Sequence, residues 1–172
     1  MKKLISFFVM TVISFFVTVI GYAGDSNLAE KIDAVISKGP EYNNFFVVSE
    51  NIRNWIQQGK SDFIVVDVRF GEEGKKSYDS GHIPGAIYIS YEKLFKPENL
   101  KKLPSNKKII LVCHMGASEI LPLIPLRMLG YDAYAMLMGM SAWQKDYPAA
   151  EFMNKLIEET KTKNYPLEGG KK

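Results

Sequence analysis

Residues Ile109–Ile120 read IILVCHMGASEI, an apolar run followed by a loop of small residues and the first turn of a helix. The run over 108–112 predicts a strand that is covered on both faces. Cys113 opens the loop, where loop and helix amides converge and stabilise a thiolate. Cys113 is the only cysteine, so it has no partner for a disulfide within the chain. The open interpretations are a buried core thiol and a reactive thiol.

Apolar runs rich in β-branched residues alternate with segments of helical spacing along the chain. Because such alternation is typical of a parallel sheet covered by helices, the expected fold class is α/β, a twisted and mostly parallel sheet flanked by helices. The predicted strands cover 45–48, 63–68, 86–89, 108–112 and 133–137. The predicted helices run from an N-cap at Ser49 to a stop at Gly59, and over 119–129, 140–146 and about 149–163.

The first 23 residues have the pattern of a secretory signal peptide. Lys2 and Lys3 precede an uncharged stretch over 4–20, and the small residues Gly21 and Ala23 stand at −3 and −1 of a cleavage site. The competing interpretation is an uncleaved membrane anchor, because the run is close to the roughly 20 residues that span a bilayer. We expect cleavage, and therefore an exported, periplasmic or secreted protein without a membrane segment.

The rest of the chain has the length of one domain. We expect an N-terminal extension over 24–44, the domain over 45–148, and a C-terminal helix and tail over 149–172. The formal net charge is +3, and cleavage would remove two lysines and leave about +1. Because no cluster of basic and aromatic residues accompanies this charge, nucleic acid is not an expected partner.

Four motifs, in order and spacing, resemble the single-domain rhodanese-like sulfurtransferases. They are Asp67-Val68-Arg69, Gly81-His82-Ile83-Pro84-Gly85-Ala86, the Cys113 loop after its strand, and Gly139-Met140-Ser141-Ala142-Trp143. The resemblance spans about residues 45–147. It implies a twisted parallel sheet with the reactive loop at the carboxyl end of a central strand, which agrees with the general rule for open α/β sheets.

The resemblance implies that Cys113 is the catalytic residue. Its thiolate would take a sulfane sulfur from a small anionic donor as a persulfide and pass it to a thiol or to cyanide. Substrate binding would fall to the loop amides, which curve around the sulfur as an anion nest. The loop residues are His114, Met115, Gly116, Ala117 and Ser118. No cofactor and no metal are expected, since one cysteine and two histidines are not a convincing ligand set.

The charge of the loop departs from the family pattern. Many members carry arginine or lysine there, often where Ser118 stands, and this loop has no fixed cation. Ser118 instead offers a hydroxyl to the sulfur and an N-cap to the helix. Glu119 either opposes activation of Cys113 or points away and complements the helix dipole. His114 is either an imidazolium that supplies positive charge or a neutral ring. The departure weakens the expectation of thiosulfate as the physiological donor.

Three further residues are interpreted as structural support. Asp67 and Arg69 are expected to tie neighbouring loops together by hydrogen bonds, and His82 to bond the backbone of its turn. Trp143 is expected in the core beneath the loop. A protein partner is expected at a methionine-rich rim, although methionine also fills cores. The rim residues are Met115, Met136, Met138 and Met140.

Two other function classes remain open. A phosphatase or arsenate reductase would need an arginine at the end of the cysteine loop to clamp the oxyanion, and the first arginine after Cys113 is Arg127. A non-enzymatic module that binds a partner or carries sulfur is the stronger alternative, because the loop lacks a cation.

Overall fold

The computed structural model describes residues 26–166 and 168–169. They divide into two compact units, one that ends at Asn44 and one that begins at Phe45. The predicted signal peptide lies outside the described residues, so cleavage, export and the domain boundaries stay predictions. Among the described helices, none is long and apolar enough to cross a membrane.

The elements follow one another in an alternating order. The first unit is helical over 26–36 (α1), and a 3₁₀ segment at Gly39–Phe45 follows. The strands of the second unit are β1 (Phe46–Val47), β2 (Phe63–Asp67), β3 (Ile87–Tyr88), β4 (Lys108–Val112) and β5 (Ala133–Met136). Its helices are α2 (Ser49–Gln57), α3 (Gly71–Ser80), α4 (Pro97–Leu100), α5 (Ile120–Met128) and α6 (Pro148–Thr160), with 3₁₀ turns at Tyr91–Lys93 and Gly139–Ala142.

The five strands form one parallel sheet in the order β1-β5-β4-β2-β3. In the centre, Ile109 of β4 pairs with Ile64 of β2 and with Ala133 of β5. Residues 109–112 are fully buried, as expected for a strand covered on both faces. The predicted fold class is confirmed, and all five predicted strands are present.

The predicted helix starts at Ser49 and Ser118 need correction. Val48, in extended conformation, is the N-cap of α2, and Ser49 is already the first helical residue. Glu119 is the N-cap of α5, and its side chain makes no capping hydrogen bond. Both helices thus begin within one residue of the predicted position, which is within the usual variation of helix ends, and neither has a side-chain cap.

Two helical segments differ from the expectation: one is shorter than predicted, and the other was not predicted. The predicted helix over 140–146 is a 3₁₀ turn at Gly139–Ala142, which begins after Met138 at φ +65°. Helix α3 was not predicted, because GEEGKKSYDS has no apolar stripe. It packs through Gly74 instead: a Cβ there would lie 2.5 Å from the backbone carbon of Arg69. This contact brings the start of α3 against the segment that follows β2.

Candidate functional site

The Cys113 loop is joined to the 3₁₀ turn at Gly139–Ala142 by main-chain hydrogen bonds. Cys113 directly follows β4, and its side chain is buried, with 1% of the residue exposed. The amide of Met140 donates to the Cys113 carbonyl at 2.8 Å. The amide and hydroxyl of Ser141 donate to the His114 carbonyl at 3.0 and 2.9 Å. The turn therefore fixes the backbone that places the thiol.

Two glycines allow these segments to approach so closely. Gly116 has φ +86°, and a Cβ there would lie 2.7 Å from the amide nitrogen of Met138. Gly139 has φ +52°, and its Cβ would lie 2.5 Å from the Cys113 carbonyl oxygen. Both conformations are rare for residues with a Cβ, and both spaces are closed to one. The loop geometry therefore depends on both glycines.

A buried ion pair stands beside the loop at the end of β2. Arg69 Nε donates to Asp67 Oδ1 at 2.9 Å, and its Nη2 donates to Oδ2 at 2.7 Å. The same Nη2 donates to the Gly81 carbonyl at 2.8 Å. Burial disfavours the charge on Arg69, but Asp67 and Tyr147 outweigh this and raise the pKa of the guanidinium. Arg69 therefore remains a cation whose charge is matched by Asp67.

Tyr147 connects this ion pair to the cysteine loop. Arg69 Nη1 donates to the Tyr147 hydroxyl oxygen at 3.1 Å, and that hydroxyl lies 2.5 Å from Nδ1 of His114. Because the guanidinium only donates, the Tyr147 proton is free to go to Nδ1. The arrangement favours a neutral His114 with its proton on Nε2. Sequence reasoning did not find Tyr147, which lies 78 residues from Arg69 in the chain.

His114 does not supply the missing cation. Burial lowers its pKa, the positive charge of Arg69 lowers it further, and Asp67 opposes both effects. The hydrogen bond from Tyr147 acts in the same direction as burial, because it stabilises the neutral ring. Of the two interpretations of His114, the structure favours the neutral one.

Replacing Tyr147 with phenylalanine is expected to raise the pKa of His114 toward its usual value of about 6.5. The change removes the donor to Nδ1 and keeps an aromatic ring in place. It also leaves an Arg69 N–H without a partner, at a cost of about 1–3 kcal/mol in the free energy of unfolding. Proton NMR titration measures the pKa directly, since the chain has only two histidines. An unchanged or lower pKa would mean that Nδ1 carries the proton and Tyr147 accepts it.

Glu119 is enclosed by the protein and does not point away into solvent. The residue is 0% exposed, and among the described residues neither carboxyl oxygen has a hydrogen-bond partner. Burial raises the pKa of Glu119 to about 7, and the negative charge of Asp67 acts in the same direction. The Cys113 thiol and the amides of Cys113 and Glu119 partly oppose this shift. The Cys113 thiol therefore lies near enough to the Glu119 carboxyl to affect its pKa, although no hydrogen bond joins the two groups.

The other predicted site residues lie around this centre. His114, Met115, Gly116 and Ser118 are half-buried, and Ala117 is exposed. His82 is outside the loop: its Nδ1 lies 2.8 Å from the Tyr78 carbonyl, and its ring stacks on the Tyr78 ring at 4.0 Å. Trp143 is partly buried against the core.

The methionine-rich rim needs correction. Met136 and Met140 are buried in the core because β5 and the following turn face inward there, so only Met115 and Met138 reach the surface. Other apolar side chains are exposed beside the loop in their place. They are Ile120, Leu121 and Leu137, and together with Met115 and Met138 we call them the apolar rim.

Comparison with known proteins identifies the family of the domain that carries this candidate site. The family model of the rhodanese-like domain matches residues 25–146. The chain is 29% identical over 100 residues to a probable adenylyltransferase/sulfurtransferase, MoeZ, of Mycobacterium tuberculosis. This match covers 58% of this chain and 24% of that protein. It is also 31% identical over 83 residues to a tRNA sulfurtransferase of Desulfurococcus amylolyticus. That match covers 48% of this chain and 15% of that protein. The match therefore spans a quarter or less of these relatives.

A solved structure shows the same fold. The crystal structure of a rhodanese-like domain protein from Staphylococcus aureus aligns with a TM-score of 0.51 and 28% sequence identity. The alignment covers 59% of this chain and 92% of that one. The likeness extends over nearly the whole of the compared domain.

Proposed function

Because this chain belongs to the rhodanese-like domain family, we propose that it is a sulfurtransferase in which Cys113 accepts a sulfane sulfur as a persulfide and passes it to a thiol or to cyanide. The observation that carries this proposal is the position of the chain's only cysteine. Cys113 lies at the carboxyl end of the central strand, in a loop held by the Gly139–Ala142 turn. Ligands of open parallel sheets bind at this edge.

The reaction needs two displacements at sulfur. The Cys113 thiolate attacks the outer sulfur of the donor and forms an S–S bond with it. The bond between that sulfur and the rest of the donor breaks, and the rest of the donor leaves with the electron pair. With thiosulfate the leaving group is sulfite. In the second step an acceptor thiolate or cyanide attacks the terminal sulfur, and Cys113 leaves as a thiolate. The loop amides favour the anion at each stage.

The donor is proposed to be a small anion and the acceptor a small thiol or cyanide, since Cys113 is almost fully buried. An acceptor thiol on a protein partner would meet the apolar rim, where Leu121 is 61% exposed and Met138 is 40% exposed. We place this reaction outside the cytoplasm, on the strength of the signal-peptide pattern at the N-terminus.

Intact-protein mass spectrometry tests the proposal. The reduced protein is expected to gain the mass of one sulfur after exposure to thiosulfate or to a polysulfide, and to lose it on addition of cyanide. The Cys113→Ser variant is the matched control and should gain nothing. An unchanged mass with both donors would contradict the proposal.

The buried Glu119 favours one second candidate, a non-enzymatic module that binds a partner. A carboxylate beside the thiol repels anionic donors, and the loop has no cation to offset it. For such a module, partner binding would survive Cys113→Ser while sulfur uptake would be absent in the wild type. An oxyanion-processing enzyme is not favoured, because Arg127 donates to the Ala133 carbonyl at 2.6 Å, within the α5–β5 region.

A further inference from the structure

Glu119 is a buried acid for which none of the described residues provides a compensating charge. It lies directly after the cysteine loop at the start of α5, and both carboxyl oxygens are without hydrogen-bond partners among the described residues. An unpaired buried carboxylate is costly, whereas the protonated acid is tolerated far better. The position therefore suits a group that gains and loses a proton.

The titratable and charged groups around Glu119 explain what it can exchange a proton with. Asp67 at the end of β2 opposes a second negative charge nearby, and Arg69 is already bonded to Asp67. His114 in the loop is held neutral, and Tyr147 before α6 is occupied between Arg69 and His114. Among the described residues, Cys113 is the remaining neighbour that has a proton to give, and its thiol lies near enough to lower the pKa of the Glu119 carboxyl.

We propose, on the basis of the function proposed above, that Glu119 accepts the proton of the Cys113 thiol as the sulfur attacks and then remains as a neutral acid beside the persulfide. The Sγ–H bond breaks and its proton goes to a Glu119 carboxyl oxygen. Sγ forms the new S–S bond to the outer sulfur of the donor, and the remainder of the donor leaves with the electron pair of the broken bond. When an acceptor thiolate removes the sulfur, Glu119 returns the proton to Cys113.

This exchange keeps the charge of the site constant. Before the reaction the pair is a thiol and a carboxylate, and afterwards it is a persulfide anion and a carboxylic acid. Each state carries one negative charge. The burial that raises the pKa of Glu119 to about 7 brings its proton affinity closer to that of a thiol, which makes the transfer accessible near neutral pH.

The test uses the rate at which iodoacetamide alkylates Cys113, measured from pH 5 to pH 9 on the full chain. Iodoacetamide is neutral and needs no sulfur donor, so the result is independent of whether sulfur transfer occurs. In the wild type the rate is expected to rise as the pH passes through about 7, where Glu119 ionises. In Glu119→Gln, which has nearly the same shape, the rate at pH 7 is expected to fall about tenfold, because the thiol must then ionise unaided.

The opposite result has a clear meaning. A carboxylate that only repels the thiolate would make Glu119→Gln react faster at pH 7, and an equal or higher rate overturns the proposal. Glu98→Gln, at an exposed position in α4, is the matched control and should alkylate like the wild type. If the Glu119→Gln protein does not fold, the wild-type profile alone decides, because proton exchange predicts a rate that levels off above about pH 7, where Glu119 is fully ionised. A thiol that meets only repulsion ionises unaided, and its rate keeps rising up to about pH 9 without such a step. A normal profile without sulfur uptake would contradict the proposed function and leave the proton exchange intact.

Discussion

Gly139→Ala is expected to slow the loading of Cys113 with sulfur by about 100-fold, because the new methyl group displaces the cysteine loop. The added Cβ would lie 2.5 Å from the Cys113 carbonyl oxygen and 2.8 Å from the Gly116 amide nitrogen. Both are backbone atoms, so neither can rotate aside as a flexible side chain would. The loop must shift as a unit, and the amides that surround the sulfur shift with it.

The matched control for this change is Gly59→Ala. Gly59 has a similar positive φ of +66°, yet a Cβ there meets no atom within 4 Å. Both variants therefore share the backbone strain of about 1–2 kcal/mol that alanine suffers in this conformation. Persulfide formation, followed by mass spectrometry over time, should be slow in Gly139→Ala and normal in Gly59→Ala. Equal rates in the two variants would show that the approach of the turn does not position the loop.

Arg69→Met is expected to lower the free energy of unfolding by about 3–5 kcal/mol, since it leaves the Asp67 carboxylate buried without its partner. Arg69 also donates to Gly81 and to Tyr147, so its loss separates three segments that meet at the site. For a chain of this length the melting temperature should drop by roughly 6–20 °C. Thermal and denaturant unfolding measure the two quantities.

A double-mutant cycle separates the charge from the packing. Adding Asp67→Asn to Arg69→Met removes the unpaired charge, so the double variant should be more stable than Arg69→Met alone. If the double variant is less stable by the sum of the two single effects, the pair is not coupled and the explanation fails. Sulfur uptake should stay slower than in the wild type in both Arg69→Met and the double variant, because the link from Arg69 through Tyr147 to His114 is broken in each.

The fold was predictable where local sequence and tertiary position agree. The segment over 108–112 is apolar from Ile109 onward and rich in β-branched residues, and it forms the central strand with the predicted bounds. Helix α3 was not predictable in this way, because its packing depends on the bare backbone of Gly74 against Arg69 and not on an apolar face. Met136 and Met140 were predicted at the surface and lie in the core, because the sequence pattern did not distinguish buried methionines from exposed ones.

The site was predictable as a set of motifs but not as a network. The motif order placed Cys113, Asp67 and Arg69 near one edge of the sheet. The role of Tyr147 depends on two contacts that span 33 and 78 residues of chain, and no local pattern signals either of them. The burial of Glu119 likewise follows from the turn of the loop, which a charge pattern alone did not reveal.

The burial of Cys113 also decides which oxidation products the protein can form in air. A disulfide between two copies needs Cα atoms about 4.4–6.8 Å apart, and a side chain that is 1% exposed cannot be brought so close to its equivalent in a second molecule without opening the loop. Covalent dimers are therefore sterically disfavoured, although the chain has no second cysteine that could form a disulfide with Cys113 instead. Oxidation by a small molecule such as peroxide needs no approach of a second protein, so we expect it, and not crosslinking, to be the form of inactivation during storage.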